Sequence, residues 1–323
     1  MSSSPAAPPD WSDRFVVESN YDGWRLDRFL TQKLKRATRS RVAKFIKSGV
    51  RFDDGRKVKA GSIVRTGDIV WMDRTERADP ETPSLDAVTV LHDDGELVVL
   101  RKPPGILVHR TAREASRTID TFFADRFPGE RVEATHRLDR DTSGVLVCGR
   151  GDEAISTLNA MFRGSELTKT YECWAHGARE RFPIAERVTL TSSLGLDPDA
   201  AISLRVGRGD WVCTTHVEAL KHVGEVSRLR VQIEQGRQHQ IRAHLSLEGT
   251  PIVGDKLYGM GDAYFAAWSD DPGDPELVAQ LATRWHCLHA VQLTMPWRGE
   301  SLTFRAEEPE HMREPPKIDE ARR

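Results

Sequence analysis

Apolar residues along this chain recur first at a helical period and then mostly at strand-like spacings, and the change divides the chain. From Arg25, Leu26, Phe29, Leu30 and Leu34 fall on one face of a helix. A second helix is predicted from Ser40, with Ser40 as N-cap, Val42, Phe45 and Ile46 inward, and Gly49 at its end. Residues 50–72 read as short strands broken by the turn sequences Asp53-Asp54-Gly55-Arg56 and Thr66-Gly67-Asp68. Residues 73–86 carry Asp, Glu, Arg and Pro with few apolar side chains, a linker composition. From Val88, strand and helix patterns run to about Arg305. Residues 88–92 and 97–100 flank an Asp93-Asp94-Gly95 turn and predict a hairpin, and Lys102-Pro103-Pro104-Gly105 forces an extended turn. Residues 145–148 (Val-Leu-Val-Cys) form an unbroken apolar run, the mark of a strand buried on both faces. Gly151-Asp152 opens a helix with Ile155, Leu158 and Phe162 inward, and residues 171–175 and 228–233 predict further strands. The expected organisation is a flexible leader (1–20), a small domain (21–74), a linker (75–87), a larger domain (88–305) and a charged, disordered tail (306–323).

Composition agrees with two domains: 323 residues, 38% of them hydrophobic, suffice for a sizeable core. No apolar run approaches membrane-spanning length, and the Ser/Ala/Pro-rich start lacks the apolar stretch of a secretory signal, so a cytoplasmic location is expected. Cys148, Cys173, Cys213 and Cys287 are scattered, three of them inside predicted strands, which reads as buried free thiols.

The formal net charge of −2 conceals an asymmetry. Residues 24–74 hold fifteen Lys/Arg against five Asp/Glu, a local +10, so the rest of the chain carries −12. On the second predicted helix Arg41, Lys44 and Lys47 recur every three residues opposite the apolar face. With Arg39, they suit a phosphate backbone, although a solvated basic face has the same pattern.

The chemistry concentrates in one segment, His136-Arg137-Leu138-Asp139-Arg140-Asp141-Thr142-Ser143-Gly144, directly ahead of the buried apolar run. Its carboxylates, guanidiniums, hydroxyls and imidazole would be reactive groups fixed to a rigid strand. The same residues also suit a polar turn bonding to its own backbone, and the segment alone does not decide between the two. Three further places pair polarity with core-like flanks: residues 102–109, Lys169-Thr170-Tyr171, and residues 235–245 with 249–255. None has the spacing of a phosphate loop, a serine-hydrolase elbow or a zinc protease. His239/His244 and His286/His289 lack grouped acidic or thiolate partners, so structural histidines are the reading and no metal is expected. Glycosidase chemistry by Asp139 and Asp141 is disfavoured, because alternate residues of an extended segment share a face with little room for a sugar between them. Asp141 instead reads as a turn-bonding residue.

These blocks, in this order, resemble the RluA-type RNA pseudouridine synthases. His136-Arg137-Leu138-Asp139 with Thr142-Ser143-Gly144 looks like the family signature. Its companions are Lys102-Pro103-Pro104-Gly105 with Val108-His109, Lys169-Thr170-Tyr171, Gly236-Arg237-Gln238-His239-Gln240-Ile241-Arg242 with His244-Leu245, residues 249–255 with Tyr258-Gly259, and Leu288-His289-Ala290. Gln235, Gln238 and Pro104 depart from the usual pattern. Residues 24–72 resemble an S4 RNA-binding domain through residues 25–30, Arg39-Ser40-Arg41, residues 47–50 and 67–70. The two together suggest the branch acting on large-subunit ribosomal RNA. The resemblance implies an α+β fold: a mixed, largely antiparallel β-sheet domain with a central cleft, behind a small α/β S4-like domain. It implies Asp139 as nucleophile or base, Arg242 as its cation and Tyr171 against the base, with Arg137 and His136 on RNA. It implies no cofactor or metal, RNA as the partner (ribosomal before transfer RNA), no membrane, and a monomer. A non-catalytic RNA-binding protein of the same fold is the alternative, and the presence of Asp139, Tyr171 and Arg242 together speaks against it.

Overall fold

The computed structural model describes residues 13–34, 39–72, 79–111 and 117–318. The chain divides into two compact units, with the boundary between residues 77 and 78.

In the first unit, strand β1 (Asp13–Val16) leads to helices α1 (Leu26–Lys33) and α2 (Arg39–Ser48), then to β2 (Val50–Phe52) and β3 (Ile69–Met72). β3 pairs antiparallel with both other strands. The predicted apolar helix faces close over this sheet, burying Leu26, Phe29, Leu30, Val42 and Ile46 with Val17, Phe52, Val70 and Met72. The expected flexible leader (1–20) is corrected from residue 13 on, residues 1–12 lying outside the described residues: residues 13–16 pair with β3, Asp13 opposite Met72 and Val16 opposite Ile69. Val17 is buried behind them, so the apolar run Phe15-Val16-Val17 continues from an edge strand into the core. α2 begins at Arg39, which places Ser40 inside the first turn and not at the cap.

The second unit opens with the predicted hairpin β4 (Thr89–Asp93) and β5 (Leu97–Lys102), followed by α3 (Ile119–Arg126) and β6 (Val132–Ala134). The apolar run becomes β7 (Ser143–Arg150), buried along all but its last residue, and α4 (Asp152–Arg163) follows. Next come β8 (Thr168–His176), β9 (Arg187–Leu196), β10 (Val206–Arg208), β11 (Trp211–Val223) and β12 (Val226–Ile233). The remaining elements are α5 (Gln240–Leu247), α6 (Asp262–Asp270), α7 (Pro275–Ala279), β13 (Leu288–Trp297), β14 (Glu300–Arg305) and α8 (Glu310–Arg313). One sheet runs β10-β9-β11-β12-β8-β13-β7-β5-β4, with β14 on β13 and β6 on β7. Among these strand pairs only β7 and β13 are parallel, so the sheet is mixed and largely antiparallel. No helix among the described residues is long and apolar enough to cross a membrane.

Two further boundaries differ from the sequence expectation. Residues 79–87 belong to the folded unit: Asp79 is buried and accepts from Arg284 Nε at 3.0 Å, and Leu85 packs on the main core. The tail is also folded as far as it is described. Met312 is fully buried, and its carbonyl accepts from Trp174 Nε1 (2.8 Å) and Arg228 Nη1 (2.9 Å). A charged stretch docks here because its large apolar side chains, Met312 and Ile318, and its backbone find partners on the core, which composition does not show.

The parallel contact at the centre sets a strict residue requirement. Ser143 and Gly144 pair with His289 and Ala290. A Cβ on Gly144 would lie 2.3 Å from the Ala290 carbonyl oxygen, and its φ of +121° is unfavourable for other residues. Gly144→Ala is expected to cost about 3 kcal/mol or more, because both the backbone conformation and the strand approach are violated. Urea unfolding, read as a fall in the transition midpoint, checks this.

Candidate active site

The signature segment forms the turn between β6 and β7, and the central strands hold it from behind. Thr142 N–H donates to the Asp139 carbonyl at 3.1 Å, closing the turn. Asp139 faces a cleft also lined by Arg137, Tyr171, His239 and Arg242. Tyr171 comes from β8, and Arg242 from α5 just after β12, so residues more than a hundred positions apart meet there.

α5 is buried on nearly every side, including Gln240, Arg242 and His244. Buried polar groups require partners. Gln240 Nε2 donates to the Thr214 carbonyl (3.0 Å) and the Thr215 hydroxyl (3.1 Å), and His244 bonds Thr215 and Ser192, each at 2.7 Å. The helix is thereby fixed in rotation, and Arg242 is aimed with it.

Arg242 bridges two carboxylates. Nη1 donates to Asp139 Oδ2 at 2.8 Å, while Nε and Nη2 grip Asp255 at 2.6 and 3.0 Å. Asp255 Oδ1 also accepts from the N–H groups of Leu257 (3.0 Å) and Tyr258 (2.9 Å). Asp255 therefore anchors the guanidinium and leaves one edge for Asp139. Burial opposes ionisation of Asp139, but the charges facing it hold the carboxyl well below its usual range. His239, with Nε2 3.9 Å from Asp139 Oδ1, is itself pushed down to about 4, chiefly by burial and then by Arg242. It is neutral at pH 7, so Arg242 is the cation that keeps Asp139 ionised there. Burial, then the Asp139 charge, raises the Tyr171 phenol far above its ordinary value and keeps it protonated. The result is a half-buried carboxylate with a fixed counter-ion beside an aromatic side chain, an arrangement able to support nucleophilic chemistry.

The family model for RNA pseudouridylate synthase matches residues 96–247, the span holding Asp139, Tyr171 and Arg242. An uncharacterized RNA pseudouridine synthase of Chloroflexus aurantiacus is 34% identical over 251 residues, covering 76% of this chain and 78% of that one. The chain belongs to the RNA pseudouridine synthase family. Ribosomal large subunit pseudouridine synthase D of Yersinia pestis is 30% identical over 311 residues, covering 92% and 91% of the two chains. In fold, human RNA pseudouridylate synthase domain containing 1 matches with a TM-score of 0.55 at 24% identity, over 71% of this chain and 86% of that one.

The synthase thus brings Asp139, Tyr171 and Arg242 together, with Arg137 exposed at the mouth of the same cleft. His136, expected on RNA, accepts from the Val147 N–H through Nε2 at 2.9 Å and stacks on Phe162 at 4.3 Å, contacts that hold it against β7. Asp141 bonds Lys256 Nζ at 2.6 Å, where a turn-bonding role was expected. Gln235 and Gln238, the departures from the family pattern, bond Thr214 N–H (2.7 Å) and the Leu204 carbonyl (3.2 Å). Lys47 is exposed on the last turn of α2, while the side chains of Arg39, Arg41 and Lys44 lie outside the described residues. Sequence reasoning gave no role to Asp255 and set His239 and His286 aside as structural. Their only signal was position in or beside the family's sequence blocks, since neither spacing nor charge distinguished them. Among the described residues no group of His, Cys, Asp or Glu could hold a metal.

The buried histidines of this synthase predict a pH dependence. His239 and His286 are lowered to about 4 and His136 to about 3, each chiefly by burial. Below about pH 6.5 the unfolded chain binds protons that the folded chain does not, so stability rises with pH in that range. Unfolding free energy should therefore fall as pH drops from about 6.5 towards 4, by up to about 1.4 kcal/mol per pH unit for each ring. Urea titrations across that window check the slope.

Proposed function

We propose that this pseudouridine synthase isomerises specific uridines in structured RNA, large-subunit ribosomal RNA foremost, with Asp139 as the reacting carboxylate. The carrying observation is the ionised Asp139 held by Arg242 in the cleft beside Tyr171. Isomerisation breaks the glycosidic C–N bond, turns the base and joins its C5 to C1′ of the ribose. Atoms are conserved: the proton leaving C5 is balanced by one gained at N1, so neither redox cofactor nor external energy is required. Asp139 acts as the nucleophile, and Arg242 holds it charged and aligned. Tyr171 lies flat against the base; being protonated, it takes the C5 proton only while passing its own to a neighbouring base. The target uridine is flipped out of its stack, at a cost of roughly a few kcal/mol, and Arg137 at the mouth contacts the RNA.

Two observations favour a ribosomal substrate. The relative in Yersinia pestis that aligns over nine-tenths of both chains bears the name of a large-subunit enzyme. The first unit carries the +10 segment that resembles an S4 domain, and it supplies affinity for folded RNA while the second unit supplies the chemistry. Mapping pseudouridines in ribosomal RNA from a strain lacking the gene tests the substrate: a missing modification is expected, and an unchanged map refutes it.

Asp139→Asn preserves shape and removes charge, so turnover on a transcribed RNA fragment should vanish while RNA affinity changes little. Arg242→Lys keeps a charge but loses the planar fork, and should fold while losing on the order of a hundredfold or more in single-turnover rate. Wild-type rates in either variant would remove that residue from the chemistry.

Replacing Arg41, Lys44 and Lys47 together by Gln should flatten the dependence of log affinity on log salt by about 0.7–0.9 for each phosphate that is no longer neutralised. The saturated single-turnover rate should hold. A salt slope equal to that of the wild type identifies a merely solvated face.

A further inference from the structure

Four consecutive residues after Asp139 are each held by a group from a distant segment. The Arg140 carbonyl accepts from Lys102 Nζ (2.9 Å) and from the Gly105 N–H (2.9 Å). The Asp141 carboxylate pairs with Lys256 at 2.6 Å, and Lys256 also donates to the Arg284 carbonyl at 2.5 Å. Thr142 Oγ1 lies 2.8 Å from His286 Nε2, and Ser143 Oγ lies 2.8 Å from His289 Nδ1. Lys102, Lys256, His286 and His289 are all at least 95% buried. A turn bonding only to its own backbone would need none of these groups.

The His289 tautomer follows from its partners. His289 Nε2 lies 3.0 Å from the Ala306 carbonyl, which only accepts, so Nδ1 accepts from Ser143. His286 Nδ1 lies 4.0 Å from Asp255 Oδ2, beyond hydrogen-bond reach, while its Nε2 shares a hydrogen bond with the Thr142 hydroxyl. His286 thus stands between the carboxylate that anchors Arg242 and the hydroxyl of Thr142, whose own N–H closes the turn on the Asp139 carbonyl. We propose that His286, through Thr142, is a positioning residue that sets the attack geometry of Asp139. This rests on Asp139 being the reacting group.

Removing one such hydrogen bond should let the turn shift without emptying the cleft. Thr142→Val deletes only the hydroxyl. Its single-turnover rate at saturating RNA should fall by about tenfold to a hundredfold, as expected of a small misplacement. RNA affinity should stay within about threefold of the wild type, because phosphate contacts dominate it. Thr142→Ser, which restores the hydroxyl, should recover most of the rate. In the double variant Thr142→Val with His286→Asn, the rate should be no lower than in the slower single variant, because both break the same hydrogen bond. If Thr142→Val does not fold, His286→Gln and His286→Asn replace it: Gln reaches the Nε2 position and should retain the rate, whereas Asn falls short and should lose it. A wild-type rate in Thr142→Val, or no recovery with Ser, overturns the proposal. If Asp139→Asn is inactive while Thr142→Val matches the wild type, the positioning role fails and Asp139 keeps its assignment. If Asp139→Asn remains active, that assignment itself fails.

Discussion

A buried guanidinium shared by one enclosed and one half-buried carboxylate is the constraint on which the rest of this site depends. Burying any one of Asp139, Asp255 and Arg242 alone would cost several kcal/mol. Together they are tolerable because Arg242 directs three N–H bonds to the pair and the backbone of residues 257–258 supplies two more to Asp255. The arrangement is unsymmetrical. Asp255 is saturated with donors and fully enclosed, while Asp139 keeps an oxygen toward the cleft. One carboxylate is an anchor and the other, the one proposed to react, keeps open coordination, and the difference comes from hydrogen-bond supply, since the residue type is the same.

The sheet serves this arrangement by placing three supports around one point. β7 carries the turn, β8 carries Tyr171, and β13 lies between them, parallel to one and antiparallel to the other. The parallel contact spans only two residue pairs and demands glycine at position 144. Such a short, close contact leaves the turn little freedom, and the buried groups from residues 102, 256, 286 and 289 remove what remains. Holding the group in place before substrate arrives lowers the entropy cost of reaching the reactive geometry.

Charge is distributed unevenly between the units. The first unit carries cations in excess, which suits long-range attraction to a polyanion. In the second, the central ions are paired inside the protein, and Arg137 and Arg237 stand exposed around the cleft. Salt screening therefore acts on the two sets of charges differently, weakening exposed ones much more than buried ones.

The sequence by itself determined the elements with strong periodicity: the two amphipathic helices of the first unit, the β4–β5 hairpin, the fully apolar β7 and the helix after Gly151. The resemblance to the synthase family, carried by sequence blocks in order, singled out Asp139, Tyr171 and Arg242, and the structure brings the three to one cleft. Tertiary structure decided what depends on partners far along the chain. His136 was legible as polar and reactive, but only the placement of Phe162 and the Val147 N–H made it a support. Met312 was one apolar residue in a charged tail, and the carbonyl-seeking Trp174 and Arg228 gave it a place. Asp255 and His286 had ordinary neighbours in sequence, and their importance arises where Arg242 and Thr142 meet them. Local pattern fixes which face of an element is buried; which buried polar group answers which other is settled only by long-range packing, because satisfying a buried charge is a property of the pair.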